Sequence, residues 1–308
     1  MTVTHVGVLG GGLIGMSWAS LFLARGLKVT VVEPREGAEA EVTAFVAAAW
    51  PHLRALGLTQ AEAPRQPEVS NDINVLADVD FVQENGPDRI AIKQDIVAAL
   101  EAVIGTDVVI ASSTSSLMAS DIQAKAVHPE RILVAHPMNP PHLVPMVELV
   151  AGRLTAPDTV DHAEAFYLAM ERVPIRVKKE VPGHLANRLT AALYREAVHM
   201  VAEGIADVGD IDKAIAAGPG MRWALMGPHL IYHLGGGAGG YRHYLDHLGP
   251  TQEARWAELG QSPLTEGLKA QLVAGVDAEI GDESTEALSE RRDAALVALA
   301  GLKRQHGF

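Results

Sequence analysis

The sequence predicts an α/β domain built on a doubly wound parallel sheet, followed by an all-α C-terminal domain. Three observations carry that prediction. Short β-branched runs alternate with Ala- and Leu-rich stretches of helical spacing throughout the first part of the chain. A glycine-rich turn separates the first of these strands from the first helix. Strand signals then almost vanish after Val181-Pro182-Gly183, where helical patterning takes over. The domain boundary is drawn there, with residues 1–182 in the α/β domain and 183–308 in the helical one.

Val6-Gly7-Val8-Leu9 is a short apolar strand. Leu13 to Arg25 follows as a helix, with Ile14, Trp18, Leu21 and Phe22 at helical spacing. Lys28 to Val32 is β-branched and reads as the next strand. Further strands are placed at Phe81-Val82, Val108 to Ala111, Ile132 to Ala135 and Pro174 to Val177. Strands alternating with helices imply a parallel sheet covered on both faces. In the second part, Leu185 to Val201 is a long helix and Ile211 to Ala217 a short one. Ser262-Pro263 has the form of an N-cap followed by proline at the first helical position, opening a helix toward Val276. Ser289 to Leu302 is the terminal helix, and Gly235 to Gly240 a glycine-rich loop between helices.

The turn Gly10-Gly11-Gly12-Leu13-Ile14-Gly15 contains G-x-G-x-x-G between strand and helix. Gly10 permits the tight turn, Gly12 lets the backbone approach a pyrophosphate, and Gly15 allows close helix–strand packing. The N–H groups at Leu13, Ile14 and the rest of the helix start present positive potential to phosphates. Glu33 ends the second strand, where its carboxylate can accept hydrogen bonds from an adenosine ribose and would repel a 2′-phosphate. That is a Rossmann-type site favouring NAD over NADP, a preference that Arg35, two residues later, weakens.

A second cluster, Ala135-His136-Pro137-Met138-Asn139-Pro140-Pro141, ends a strand and is followed by Val147-Glu148-Leu149. Histidine is the natural proton acceptor near neutral pH. Glu148 lies among apolar neighbours, and a carboxylate buried there needs a partner. A His136–Glu148 pair would satisfy it and orient the imidazole. The plainer alternative is a turn histidine and an exposed edge-strand glutamate.

These segments, with Ser113-Thr114-Ser115-Ser116 and Val181-Pro-Gly-His-Leu-Ala-Asn187-Arg, resemble the L-3-hydroxyacyl-CoA dehydrogenase superfamily over essentially the whole chain. Gly220 to Pro228 and His233-Leu-Gly-Gly-Gly resemble its branch acting on free hydroxy acids, which includes L-carnitine dehydrogenases and lambda-crystallin/L-gulonate 3-dehydrogenases. Polyketide ketoreductases of the superfamily are also similar. The resemblance implies His136 as catalytic base, Glu148 as its orienting partner, and Ser115 and Asn187 as contacts of the substrate oxygen. It implies that Ser115, Asn139, Glu84-Asn85 and Arg89 lie near the nicotinamide end of the cofactor. Two departures stand out: Met138 and His184 occupy positions where the family commonly has Phe. The implied reaction is NAD-dependent oxidation of a 3-hydroxyl, with L-carnitine as first substrate. L-gulonate, a polyketide ketone or a hydroxyacyl-CoA are the alternatives. A non-catalytic NAD-binding structural protein is the reading from a different class, and the His136/Glu148 pair argues against it.

A carnitine-like ligand carries a quaternary ammonium group, which favours aromatic faces worth about 0.5–2 kcal/mol each. Five of the 14 aromatic residues fall between Trp223 and Trp256, making Trp223, Tyr232, Tyr241 and Tyr244 the candidates. Packing between helices or at a dimer interface is their plainer role. Arg222 or Arg195 are the candidates for a substrate carboxylate. The pairs His229/His233 and His243/His247 have i,i+4 spacing but lack the glutamate of the zinc-protease pattern, so no metal site is expected. The chain has no cysteine and a net charge of −13, distributed as −8 before residue 183 and −5 after it. This disfavours disulfides and nucleic acid. Neither a leader nor a membrane span is expected, so the sequence reads as a cytoplasmic protein. A homodimer is expected from the resemblance.

Overall fold

The computed structural model describes residues 2–308. Its first part runs β1 (His5–Leu9), α1 (Leu13–Ala24), β2 (Lys28–Val32), α2 (Ala38–Ala55), β3 (Glu68–Ser70), β4 (Phe81–Glu84), α3 (Ile90–Glu101), β5 (Val109–Ser112), α4 (Ala119–Ile122), β6 (Ile132–Pro137), β7 (Met146–Ala151), α5 (Pro157–Ala169) and β8 (Val173–Val177). The strands form one sheet in the order β3-β2-β1-β4-β5-β6-β7-β8. The order reverses between β1 and β4, the hallmark of a doubly wound sheet. The pairings are parallel except β6 with β7, which is antiparallel.

Strand side chains alternate between faces, and the two faces meet different helices. On one face, Phe81 stacks on Phe166 at 4.2 Å, and Trp18 of α1 stacks on Phe22 at 5.3 Å and lies 5.6 Å from Tyr167 of α5. On the other, Val82, Ile110, Ile132, Val134 and Val150 pack with Val97 and Leu100 of α3. Both faces are apolar, as a parallel sheet buried on two sides requires.

One strand, β3, was not anticipated, and β7 was anticipated only as an exposed edge strand. β3 has three residues at the sheet edge, too few and too exposed to pattern. β7 interrupts its apolar run with Glu148, and its antiparallel pairing with β6 makes the otherwise parallel sheet mixed.

The remaining elements are helical: α6 (Ala186–Ala202), α7 (Val208–Ala217), α8 (Pro219–Trp223), α9 (Pro228–Gly235), α10 (Gly240–Glu258), α11 (Glu266–Ile280) and α12 (Thr285–Gln305). The glycine-rich run becomes a 3-10 turn at Gly237–Gly239 between α9 and α10. Gly236 is obligatory there, since a β-carbon would stand 1.9 Å from the Gly240 carbonyl oxygen. The helix expected from Ser262 begins later. Thr265 is its N-cap, with Oγ1 accepting from the Leu268 N–H at 3.3 Å, while Ser262 Oγ bonds His199 Nδ1 at 2.9 Å. The terminal helix also starts earlier than expected, capped by Ser284.

Backbone proximity divides the chain into two compact units. One runs up to Arg188 and includes Asp293–Val297; the other comprises Leu189–Arg292 and Ala298–Phe308. The second has a small buried cluster of Val198, Val201, Ile211 and Leu268. Among the described residues, no helix is long and apolar enough to cross a membrane.

Candidate active site

The glycine turn is shaped by backbone approach. Gly10 is left-handed, at φ +94°, and its N–H bonds the Val32 carbonyl at 2.8 Å. A β-carbon on Gly15 would stand 1.8 Å from the Gly10 carbonyl oxygen, so α1 can lie this close to β1 only with glycine there. A β-carbon on Gly12 would meet open space. The first N–H groups of α1, at Leu13, Ile14 and Gly15, have no acceptor within the helix and aim at that opening.

Glu33 accepts the Gly11 N–H at 2.8 Å through one oxygen. Its other oxygen accepts Arg35 N and Nε at 3.2 Å each. Arg35 also reaches Glu41 Oε2 at 2.9 Å. The guanidinium is therefore held between two carboxylates, and the competitor that the sequence suggested for a 2′-phosphate is neutralised. The open glycine turn, free helix N–H groups and adjacent carboxylate fit a dinucleotide with an unphosphorylated adenosine ribose.

Beside this turn lies a cleft of about 390 Å³, lined by Ile14, Asn85, Gly86, Asp88, Lys93, Ser113, Thr114, Ser115, His136, Pro137, Met138, Asn139 and Asn187. Antiparallel register sets His136 of β6 directly opposite Glu148 of β7. His136 Nδ1 and Glu148 Oε2 are 2.7 Å apart, both groups buried. A carboxylate only accepts, so Nδ1 carries the proton and Nε2 is left for a ligand. Glu148 Oε1 accepts the Leu185 and Ala186 N–H groups at 2.7 and 2.9 Å. Burial pushes the Glu148 carboxyl upward, but the bonds from His136, Ala186 and Leu185 outweigh it and hold the group below the ordinary glutamate value. The exposed-glutamate alternative is thereby removed.

Ser115 and Asn187 also meet in the cleft, the Asn187 Nδ2 donating to the Ser115 carbonyl at 3.2 Å. The Ser115 hydroxyl donates to Asp88 Oδ2 at 3.0 Å. Asp88 also accepts from the Thr114 and Ser116 hydroxyls. Burial raises the Asp88 carboxyl, but the Thr114 and Ser115 bonds, with the Lys93 charge, bring it below its usual range.

Glu84 does not face the cleft. Its carboxylate is 1% exposed and is taken up by Lys93 Nζ at 2.8 and 2.9 Å, Ser112 Oγ at 2.6 Å and the Gly86 N–H at 2.6 Å. It shapes the cleft wall through Gly86 and Lys93. Arg89 is exposed at the start of α3 and is not among the lining side chains. Sequence reasoning missed Lys93 because lysine reads as surface. Its spacing with Val97 and Leu100, three positions of one helix face, was the available signal.

The late aromatics lie in the helical unit. Tyr232 stacks on Tyr244 at 4.5 Å and Tyr241 on Tyr244 at 6.1 Å, each pair at 11°. Tyr244 is stacked by both neighbours and buried, while Tyr232 and Tyr241 each stack on Tyr244 alone and Tyr232 stays 40% exposed. Arg222 and Trp223 are exposed on α8. The His243 and His247 rings also stack, and no group of three or more potential ligands for a metal ion occurs among the described residues.

Residues 5–181 match the model of the 3-hydroxyacyl-CoA dehydrogenase NAD binding domain, and 183–269 that of the 3-hydroxyacyl-CoA dehydrogenase C-terminal domain. The chain is 43% identical over 299 residues to an L-carnitine dehydrogenase of Nocardiopsis dassonvillei, covering 97% of this chain and 91% of that one. It is 44% identical over 296 residues to the L-carnitine dehydrogenase of Streptomyces coelicolor, covering 96% and 93%. Among solved structures, an NAD⁺-dependent 5-formyl-3-hydroxy-2-methylpyridine 4-carboxylic acid 5-dehydrogenase superposes with a TM-score of 0.87 at 30% identity, covering 98% and 99% of the two chains.

Proposed function

The chain belongs to the 3-hydroxyacyl-CoA dehydrogenase family, and from that premise we propose that it oxidises the 3-hydroxyl of a small free hydroxy acid, with L-carnitine converted to 3-dehydrocarnitine. The observation that carries the substrate assignment is the identity of about 43% with L-carnitine dehydrogenases over nearly the full chain. NAD, when bound, supplies the hydride acceptor. His136 Nε2 takes the hydroxyl proton, and Glu148 stabilises the resulting imidazolium through Nδ1. Ser115 and Asn187 hold the substrate oxygen; the serine hydroxyl turns from Asp88 to do so. Asn139 in the cleft wall is assigned to the nicotinamide end. The protein contributes position and electrostatics rather than covalent chemistry.

NADH formation across L-carnitine, L-gulonate and 3-hydroxybutyryl-CoA tests this. L-carnitine is expected to give the highest kcat/KM. Preference for the thioester would overturn the free-acid assignment. The solved relative acting on a pyridine carboxylic acid supports a second reading, an aromatic free acid, which belongs in the same panel.

For the quaternary ammonium, Trp223 is the leading candidate because it is exposed and takes part in no ring stack among the described residues, whereas Tyr232, 40% exposed, is stacked on Tyr244. Tyr232 and Tyr241 remain secondary candidates, and Arg222 is the candidate for the carboxylate. We also propose the domain boundary at 182/183, which the two family segments flank. The proposed homodimer draws on the many large apolar side chains left exposed in the helical unit, among them Leu189, Met221, Leu234 and Val273 at 60–68%. Sedimentation as a monomer would reject it.

Glu33→Ser is expected to lower the NAD:NADP ratio of kcat/KM by at least about tenfold, since a charge-assisted hydrogen bond is worth roughly 1.5–3 kcal/mol. The change also frees Arg35 for a 2′-phosphate. An unchanged ratio would show that Glu33 does not meet the ribose.

A further inference from the structure

His184 sits in the turn Gly183-His184-Leu185, just before α6. Its backbone is left-handed, at φ +50°, a conformation that side chains other than glycine adopt at a cost. Its ring is 1% exposed. Nε2 lies 3.3 Å from the Thr114 carbonyl oxygen, which makes Nε2 the protonated nitrogen and Nδ1 a bare acceptor. That Nδ1 is buried and has no hydrogen-bond partner among the described residues. Strain and an unpaired buried nitrogen in one residue point to function rather than packing.

The neighbours supply the function. The His184 ring centroid is 5.3 Å from that of His136. The next two residues, Leu185 and Ala186, give their N–H groups to Glu148, which holds His136. One tripeptide therefore touches both the proposed base and the carboxylate that orients it.

We propose that His184 is a positioning residue whose seat accepts only the neutral ring, so that its protonation unseats residues 184–186, withdraws two N–H groups from Glu148 and releases His136. The charged or titratable groups facing it are His136 from β6, Glu148 from β7 and Asp88 beyond β4. Both carboxylates are engaged, Glu148 by His136, Leu185 and Ala186 and Asp88 by Thr114, Ser115 and Ser116, and neither is within hydrogen-bond reach of His184 Nδ1. A second proton would create a buried donor without an acceptor, beside an imidazole that itself takes up a proton in turnover. Burial first, and the His136 charge second, hold His184 below the ordinary histidine range. The folded chain then binds fewer protons than the unfolded one once pH falls below about 6.5. This contribution to stability is full above that pH and lost as pH falls.

The proposal rests on His136 being the base. Its test compares wild type with His184→Phe, a ring that cannot titrate. The acid limb of log kcat/KM, each protein scaled to its own plateau, is expected to steepen beyond a slope of one in wild type and to stay at one in His184→Phe. Without substrate, the wild-type Tm is expected to fall more than that of His184→Phe between about pH 7.5 and 5.5, by roughly 2–4 °C. Equal slopes and parallel Tm curves overturn the proposal. The thermal arm stands even if the substrate assignment fails. His184→Ala, which removes the ring, should lower plateau kcat/KM about tenfold or more; an unchanged plateau overturns the positioning role. Should His184→Phe not fold, NMR of the wild type decides. Protonation of the His184 ring and loss of Leu185 and Ala186 amide protection should share one midpoint, and separate midpoints overturn the link.

Discussion

His136→Ala is expected to reduce kcat/KM about 10²–10⁴-fold, the range that a positioned general base contributes. NADH affinity, read by fluorescence titration, should change by no more than about twofold, because the glycine turn and Glu33 lie elsewhere on the sheet. The fold should survive. Glu148 keeps the Leu185 and Ala186 N–H groups when the imidazole is gone, so the buried carboxylate is not stranded. Retention of near-native turnover by a folded, NADH-binding His136→Ala would remove the proposed mechanism. Partial recovery with added imidazole would strengthen it.

Glu148→Gln should be almost as damaging for a different reason. The glutamine carbonyl can still accept from Leu185 and Ala186, so its amide nitrogen must face His136 Nδ1. An amide N–H there forces Nδ1 to accept, which moves the imidazole proton to Nε2. The ring then presents a donor where a base is needed. We expect kcat to drop about 10²-fold or more with little change in Tm. Glu148→Ala should add a stability loss of about 1–3 kcal/mol for each of the three donors left without an acceptor, His136 Nδ1–H and the Leu185 and Ala186 N–H groups, less whatever water enters to replace them. A Glu148→Gln enzyme of normal kcat would show that the carboxylate does not set the tautomer. Chemical denaturation separates the two variants: only the alanine variant should move the midpoint strongly.

The core strands and the glycine turn were legible because β-branched runs and G-x-G-x-x-G state local preferences that the tertiary fold reinforces. His136 and Glu148 were legible as residues but not as a geometry. The strand joining them, β7, has a carboxylate at its centre and so reads as a surface segment. Only its antiparallel pairing with β6 turns that carboxylate inward onto the histidine. α8 to α10 were hidden for another reason. Glycine and proline punctuate them at Pro219, Gly227, Pro228 and the Gly235–Gly240 run, and Pro250 lies inside α10. Packing overrides poor propensity there. Glu84 entered through the family resemblance alone, and its pairing could not be foreseen. Its partner Lys93 lies on a helix whose burial no local pattern around Glu84 announces. Nothing in the sequence reports the left-handed backbone of His184.

The register between β6 and β7 makes the His136–Glu148 pair a property of the sheet rather than of a loop. Shifting either strand by one residue would send its half of the pair to the opposite side of the sheet, so the ladder cannot drift. Residues 138–145, which join the two strands, have no ladder register and are held instead by side-chain bonds, His142 to Ser17 and the Pro141 carbonyl to Arg172; Met138 and Asn139 within them line the cleft. The ladder thus fixes where a proton can be handled, while the connection beside it fixes what the cleft wall presents to a ligand.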